Sequence, residues 1–560
     1  MAETTADAAP ASVAAKTTPM RTVVAASAAG TAFEWYDFFI FGSLQAIIAK
    51  TFFAQLSPIA GQIAALALFG VGFAFRPLGA LIFGRVGDVL GRKAAFLICV
   101  SMMGGATFAI GLLPSYQQIG LAAPILLILL RILQGTALGG QYGGAAIYVA
   151  EHAAADKRGW STGWVQTSAA FGLVAALVVI FITRRVVGEA AFSQTGWSGG
   201  WRIPFFVSVG LVAISIWMRT RLGESPAFQR LKDAGEASQA PYAEAFGNWP
   251  NLKLVLIAFF GLMSAQGAYW YTVFFYSAVF MQTFLKVDAD FANLMILLAA
   301  VLSAPLYVYF GWLSDKVGRK PVMLAGMTLG LVALFPGFML LSQGANPALV
   351  AASRATPVVV VADPADCGSQ FDLTGKAKVS SSCDIAKAAL AGAGVRYTTV
   401  AAPAGQTAVV KVGGVAVPSI DARALSGPQL KAATDKTTHA IAAALAKAGY
   451  PTRSDPAQRN AGLILAVLAV FTIAATALYG PMAAALTELF PAKVRYTALS
   501  LPYHLGTGWI GGFQPVVSFS IVVATGDVYA GLWYPAIFTA ISVICCFLFL
   551  PETRGRSLDA

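Results

Sequence analysis

A charge buried in bilayer hydrocarbon is costly and is usually kept where it faces a partner or a water-filled path, so ionisable residues inside long apolar runs are the first place to look for chemistry. The segment Phe33-Glu34-Trp35-Tyr36-Asp37-Phe38-Phe39 sets two carboxylates three residues apart, on one face of a helix. Close carboxylates in a low dielectric share protons readily, and one of them can take up and release a proton near neutral pH. Glu34 and Asp37 are therefore the candidates for proton coupling; the alternative is that one of them locks its helix to an arginine. Arg131-Ile132-Leu133-Gln134-Gly135 leads to Gly139-Gly140-Gln141-Tyr142-Gly143-Gly144. It offers a mid-run guanidinium with Gln134 and Gln141 roughly on its face. Arg131, Gln134, Gln141 and Tyr142 are candidate substrate ligands, and Arg131 either neutralises Glu34 or Asp37 or meets an anionic solute. Gln266 and Tyr269, beside Trp270 and Tyr271, are polar-tipped groups of the kind that line cavities or packed interfaces. Tyr503 and His504 join them; the histidine either relays protons or packs. Arg76, in Phe75-Arg76-Pro77-Leu78-Gly79, reads as a structural anchor at a proline-weakened turn. Three histidines and five cysteines show no metal-ligand spacing, so no metal, cofactor or catalytic group is expected.

These residues need a membrane scaffold. Of 560 residues 57% are hydrophobic and 11% charged, with mean hydropathy +0.70; a soluble domain is about 25% charged. Twelve apolar runs reach the roughly 20 residues that span a bilayer: 22–49, 61–84, 94–113, 121–150, 161–183, 202–221, 253–284, 291–312, 321–343, 460–488, 497–523 and 530–550. With the N-terminus inside, Arg92, Lys93, Lys157, Arg158, Arg319, Lys320, Lys493 and Arg495 fall in inside loops, while the outside loops hold few basic residues. The net charge of +12 is thus a topology signal and not a nucleic-acid surface. Residues 1–20 lack an apolar core and read as a disordered cytoplasmic tail.

The chain repeats itself. Gly84 to Lys93 and Gly311 to Lys320 both read G-x-x-x-D-x-x-G-R-K, each in an inside loop after an apolar run. They lack the G-K-[ST] of a phosphate loop and read as a cytoplasmic gate. Gly84 and Gly91 let helices approach, and Asp88 and Asp315 can sit at helix N-termini. Arg92, Lys93, Arg319 and Lys320 meet carboxylates such as Glu151 or Glu488, near Arg495. Gly84 to Glu151 spans 67 residues and Gly311 to Glu488 spans 177, a difference of 110. Hydropathy places the extra length independently at 344–457, a polar stretch between the ninth and tenth runs, on the outside. Within it, Val358–Val361 and Val395–Val400 read as strands, and Gln406–Ile420 as a hairpin around Gly413-Gly414. Asp384–Leu390 and Leu430–Ala448 read as helices, giving a small α/β domain. Cys367 and Cys383 would pair there in an oxidising compartment; two free thiols are the alternative.

Taken together, the two loop motifs resemble those of the major facilitator superfamily. More narrowly, the chain is similar to its metabolite:proton symporter family. The segments that carry this are Phe33–Phe38, Arg76-Pro77-Leu78-Gly79, Arg131–Gly135, Gly200-Trp201-Arg202-Ile203-Pro204-Phe205, Glu488–Pro491, Val494–Thr497 and Pro551-Glu552-Thr553-Arg554-Gly555. They cover everything except the tail and the insert. The resemblance implies an all-α integral membrane fold of twelve transmembrane helices in two six-helix halves, here with a small α/β extracytoplasmic insert between helices 9 and 10. It implies proton symport of a small carboxylated solute by a protein functional as a monomer among membrane lipids. Two departures stand out: the family usually has Glu where Gln141 stands, and it generally lacks the insert. The expected organisation is a tail (1–20), an N-terminal half (21–221), a cytoplasmic linker (222–252), helices 7–9 (253–343), the insert (344–457), helices 10–12 (458–550) and a cytoplasmic tail (551–560). The expected location is a bacterial inner membrane with both termini cytoplasmic. The expected function is proton-coupled symport of an organic acid; alternatives are import of proline- or betaine-like osmolytes, or a solute-sensing receptor whose insert meets an extracytoplasmic partner.

Overall fold

A computed structural model describes residues 19–55, 58–220, 226–236, 238–368 and 380–558; the side chains of Arg92, Gln141 and Tyr142 lie outside the described set, as does nearly all of the predicted N-terminal tail. The first half contains α1 (Met20–Ser43), α2 (Pro58–Ala74), α3 (Arg76–Val89), α4 (Arg92–Leu112), α5 (Ala122–Leu138), α6 (Gln141–His152), α7 (Arg158–Val187) and α8 (Ile203–Thr220). Among the described residues ten helices are long and apolar enough to cross a membrane, against twelve predicted runs. The difference falls on the first two. In α1 the polar turn around Glu34 and Asp37 dilutes an otherwise apolar helix. The run 61–84 breaks at Phe75, just ahead of Arg76 and Pro77, into helices of 17 and 14 residues, because proline removes a backbone donor and clashes with the preceding turn.

The second half contains α9 (Trp249–Phe284), α10 (Ala289–Val317) and α11 (Arg319–Ala345), then the insert with α12 (Ser382–Gly392) and α13 (Gly427–Lys447). It closes with α14 (Ala461–Tyr479), α15 (Met482–Leu489), α16 (Arg495–Thr525) and α17 (Trp533–Phe549). α9 and α16 are not regular. π-Turns interrupt α9 at Phe259–Met263, Thr272–Tyr276 and Phe280–Phe284, and α16 at Leu505–Gly511. Such bulges widen the helix and re-aim side chains.

The halves meet along α7 against α10 and α3 against the start of α16. Close approach inside a half depends on small residues: a Cβ on Gly135 of α5 would overlap the Gly72 carbonyl of α2. The G-R-K turns are built alike. Gly91 and Gly318 adopt φ of 113° and 110°, a left-handed conformation that side chains resist, and each opens the next helix.

The insert is a four-stranded sheet in the order β2-β1-β3-β4, with β1 (Val358–Ala362), β2 (Tyr397–Ala401), β3 (Val409–Val412) and β4 (Val415–Pro418). β1 and β2 are parallel across the α12 crossover; β3 is antiparallel to β1 and forms a hairpin with β4. Cys367 and Cys383 are bonded, tying the segment after β1 to the first turn of α12. The insert sits at one end of the bundle. Tyr397 N donates to Gly526 O at 3.0 Å, Tyr397 OH to Val523 O at 2.6 Å, and Ser454 N to Lys286 O at 3.0 Å. The charged loops lie at the other end of α10, 29 residues away, or about 43 Å at 1.5 Å per residue.

Candidate functional site

Two groups of polar residues cross the middle and one end of the bundle. The central group begins with Arg76. The break at Phe75 starts a new helix there, and Arg76 is buried in a shell of rings: its guanidinium lies 4.0 Å from the Phe73 ring centroid, 5.2 Å from Phe38 and 5.8 Å from Trp35. Its Nε and Nη2 have no hydrogen-bond partner among the described residues, while the Tyr271 hydroxyl stands close by. Arg131, one turn of helix from the Gly135 contact, is fully buried. Its guanidinium lies 3.9 Å from Phe41 and 5.4 Å from Phe38, and Nη1 donates to Gln134 Oε1 at 3.0 Å. Gln134 Nε2 in turn donates to Thr107 Oγ1 at 2.8 Å. Thr107 also faces Asp37, so a chain Arg131–Gln134–Thr107 leads toward that carboxylate. Asp37 and Glu34 are both buried; Asp37 Oδ1 has no partner among the described residues, and Glu34 lies beside Cys99 of α4.

From the second half, Trp270 meets Trp35 (5.9 Å between centroids), Phe275 meets Phe39 (5.6 Å), and Tyr271 meets Phe73 (5.2 Å). Trp270 Nε1 donates to Tyr307 OH at 2.7 Å, fixing the indole. Tyr503 shares a 2.7 Å hydrogen bond with Tyr479, and His504 packs edge-on against Tyr503 with both ring nitrogens unbonded among the described residues. Gln266 is buried, with Oε1 unpartnered among the described residues. Tyr269 departs from its expected place. It lies against Gly330 of α11 and Phe471 of α14, inside the second half and away from the rings of the first. In a helix, neighbours 269 and 270 point about 100° apart, and it is Trp270 that reaches α1. Gln141 and Tyr142 have no described side chains.

The second group closes the charged end. Asp315 accepts from Gly159 N (2.9 Å) and Trp160 N (2.7 Å), the first turn of α7, and pairs with Arg319 at 2.5 Å. Asp88 accepts from Thr497 N (3.1 Å) and Thr497 Oγ1 (2.7 Å), the first turn of α16. Each loop aspartate thus sits on a helix N-terminus of the opposite half, where the dipole favours it. Glu488 accepts from Arg158 (2.8 Å), from Arg319 (3.1 and 3.2 Å) and from Thr553 Oγ1 (2.9 Å), and Glu151 pairs with Arg495 at 2.9 Å. Gly84 lies against Thr497. The lysines behave differently from the arginines. Lys320 Nζ donates to Phe547 O and Lys93 Nζ to Thr220 O, both at 2.9 Å. An ammonium on a flexible stem reaches an exposed carbonyl where the planar guanidinium fits a buried carboxylate. The expected meeting of Lys320 with Glu151 or Glu488 is therefore corrected, and the Arg92 side chain lies outside the described residues. Sequence reasoning missed Arg158 as a partner of Glu488; the signal was the repeat itself, since a two-fold seam pairs each half's glutamate with the other half's arginine.

Residues 22–244 and 437–560 match the family described as "Sugar (and other) transporter"; the unmatched stretch, 245–436, covers α9, α10, α11 and most of the insert. The chain belongs to that family. It is 35% identical over 335 residues to the proline/betaine transporter of Escherichia coli K12, covering 58% of this chain and 65% of that protein; the match therefore spans a little less than two thirds of that relative. It is 37% identical over 318 residues to the E. coli K12 shikimate transporter (56% and 71% of the two chains). It is 33% identical over 314 residues to a citrate-proton symporter of Klebsiella pneumoniae (56% and 69%). Its fold matches that of the major facilitator superfamily proton:xylose symporter XylE bound to 6-bromo-6-deoxy-D-glucose, with a TM-score of 0.62 at 15% identity over 96% and 98% of the chains. The chain is thus a multi-pass membrane protein of the major facilitator fold, from a family of transporters and not of enzymes.

Proposed function

We propose that the protein is a secondary transporter that moves a small organic acid with protons by alternating access, holding the solute's carboxylate at Arg76 and Arg131. One observation carries the reading: Arg76 is buried at the seam with two guanidinium nitrogens unpartnered among the described residues, and a second buried guanidinium, Arg131, is close enough to feel its charge. A carboxylate supplies the missing acceptors, and charge-assisted bonds to a planar fork are the strong kind. Tyr271, Tyr503, Gln134 and Gln266 supply further polar contacts, and Trp35 and Phe38 an apolar wall. Asp37 and Glu34 carry the proton. Asp37 reaches the solute site through Thr107, Gln134 and Arg131, so protonation and solute binding share one network. The Asp88, Asp315, Glu151 and Glu488 contacts form the cytoplasmic gate, released as the halves rock.

In this reading twelve helices span the membrane, α1 and the broken α2–α3 included, with both termini cytoplasmic and the insert outside. The relatives named as shikimate transporter and citrate-proton symporter support an organic acid. The aromatic shell and the relative named as proline/betaine transporter favour a second reading, a zwitterionic osmolyte whose quaternary ammonium packs on the rings. Uptake into proteoliposomes of labelled mono-, di- and tricarboxylates, set beside betaine and proline, separates the two. Uptake of a carboxylate that is lost in Arg76→Gln supports the first; uptake of betaine alone supports the second.

A further inference from the structure

Where the insert meets the bundle there is a cleft of about 710 Å³, within the size range of small-molecule sites. Val279 and Thr283 of α9, Phe519 and Val523 of α16, and Ala389 and Leu445 of the insert form its walls. The central site does not use it. It is mostly apolar, and runs of alanine on α12 keep it open instead of filling it.

Among the described residues one charged group lines it: Lys286. This residue is the one non-glycine with positive φ (57°) among the described residues, a backbone state that persists where surroundings over-determine it and that clusters at ligand sites. Its Nζ donates to the Gly392 carbonyl, which neutralises no charge. Asp288, the carboxylate next along the chain, is taken by Arg459 at 2.5 Å. Desolvation by the half-buried position pushes the ammonium down to about 8, the mark of a cation lacking a nearby counter-charge. Lys387 is directed elsewhere, to Ala524 O at 3.3 Å. An ammonium against apolar walls gains most from an anion that brings its own apolar body.

We propose that this cleft binds a water-soluble organic monoanion with an apolar body, its charge set on Lys286 and its body between α9, α16 and the insert. The cleft lies in line with the seam. Ser520, on its wall, is seven residues beyond Phe513 and shares its helical face, and Phe513 packs on Gly70 of the first half. An anion held here stands at the insert end of the path between the halves. The insert's hydrogen bonds to the bundle among the described residues end on the second half, at Leu285, Lys286, Ala345, Val523, Ala524, Gly526 and Asp527, so the site travels with that half as one piece.

The test is calorimetric titration of 2-naphthoate and its neutral analogue 2-naphthamide into the full chain in phosphatidylcholine nanodiscs. Wild type is expected to prefer the acid, and Lys286→Met to weaken the acid by about tenfold or more while leaving the amide unchanged. Ala389→Trp, which fills the cleft, is expected to remove both. Arg76→Gln strikes the central site and is expected to leave these titrations unchanged, so failure of transport and failure of this site are read separately. Equal affinity for acid and amide, or unchanged naphthoate binding in Lys286→Met, overturns the proposal. So does phosphatidylglycerol that co-purifies in a Lys286-dependent manner and excludes naphthoate, which makes the occupant a lipid.

Discussion

Replacing Arg158 by Gln tests the gate, because Arg158 bonds across the seam. Its partner Glu488 also holds Arg319 and Thr553 of its own half, contacts that do not cross the seam. What is lost only in the closed state is the 2.8 Å bond from Arg158 Nη1 to Glu488 and a 3.2 Å bond to Arg556 O. The side chains are 5% and 0% exposed, so solvent screening is slight. A hydrogen bond to a buried charged group contributes about 1.5–3 kcal/mol, and each 1.4 kcal/mol is about tenfold. Arg158→Gln should therefore shift the closed-to-open ratio roughly 10–150-fold toward open. Arg495→Gln, which breaks the symmetry-related pair with Glu151, should do about the same. Lys493→Gln is the control: its 3.2 Å pair with Glu244 is 49% and 32% exposed, and such pairs contribute about 0–1 kcal/mol. The assay is pulsed dipolar spectroscopy between spin labels at Leu90→Cys and Val317→Cys, equivalent exposed positions of the two loops, in a chain lacking Cys99, Cys545 and Cys546. A distance distribution unmoved by Arg158→Gln, or moved as far by Lys493→Gln, would show that the Arg158–Glu488 bond does not hold the gate shut.

Other outcomes follow from the same contacts. Arg76→Lys should lower uptake kcat/KM at least about tenfold, nearly as much as Arg76→Gln, because a point charge does not replace a planar fork; full activity in the lysine variant contradicts this. Removing the Cys367–Cys383 bond, which closes a 16-residue separation, should cost the insert about 3 kcal/mol, read by pulse proteolysis within residues 344–457, with the Leu90–Val317 distance unchanged. The Asp363 carboxylate is held below its usual range by the amides of Gly405 (2.8 Å) and Ala365 (2.9 Å). Its folded value is depressed, so its contribution is present above the unfolded value of about 3.9 and is lost as pH falls through the folded one. Hydrogen exchange at Gly405 should accelerate over that acid window in wild type and be fast at every pH in Asp363→Asn.

The membrane scaffold was legible because bilayer hydrocarbon dictates long apolar runs, and the insert because a repeat measures its own interruption. The strand and helix order of the insert followed from alternation and from Gly413-Gly414. The break at Phe75 was legible from Pro77. The role of Arg76 was not, since its shell is assembled from α1, α2 and α9, far apart in the chain, and a lone arginine beside a proline reads as an anchor. Nor was the choice of Trp270 over Tyr269: both are aromatic, and the π-turns that set the register of α9 have no local signature in Phe259–Met263 or Thr272–Tyr276. The cross-seam pairing of Glu488 with Arg158 was visible only on treating the two loops as halves of one symmetric contact, which charge counting along a single chain does not do. Lys286 gave no sign at all, because its importance lies in a backbone angle and in the neighbours that the insert folds over it.

The most direct measurement is proton movement during solute uptake. Purified protein in proteoliposomes loaded with a pH-sensitive dye is given an outward-facing supply of the carboxylate that the uptake screen selects. Internal acidification is expected that depends on solute, disappears with Asp37→Asn, and collapses together with solute accumulation when a protonophore is added. Accumulation that proceeds unchanged with the protonophore present, or acidification that survives Asp37→Asn with Glu34 also changed to Gln, contradicts this expectation.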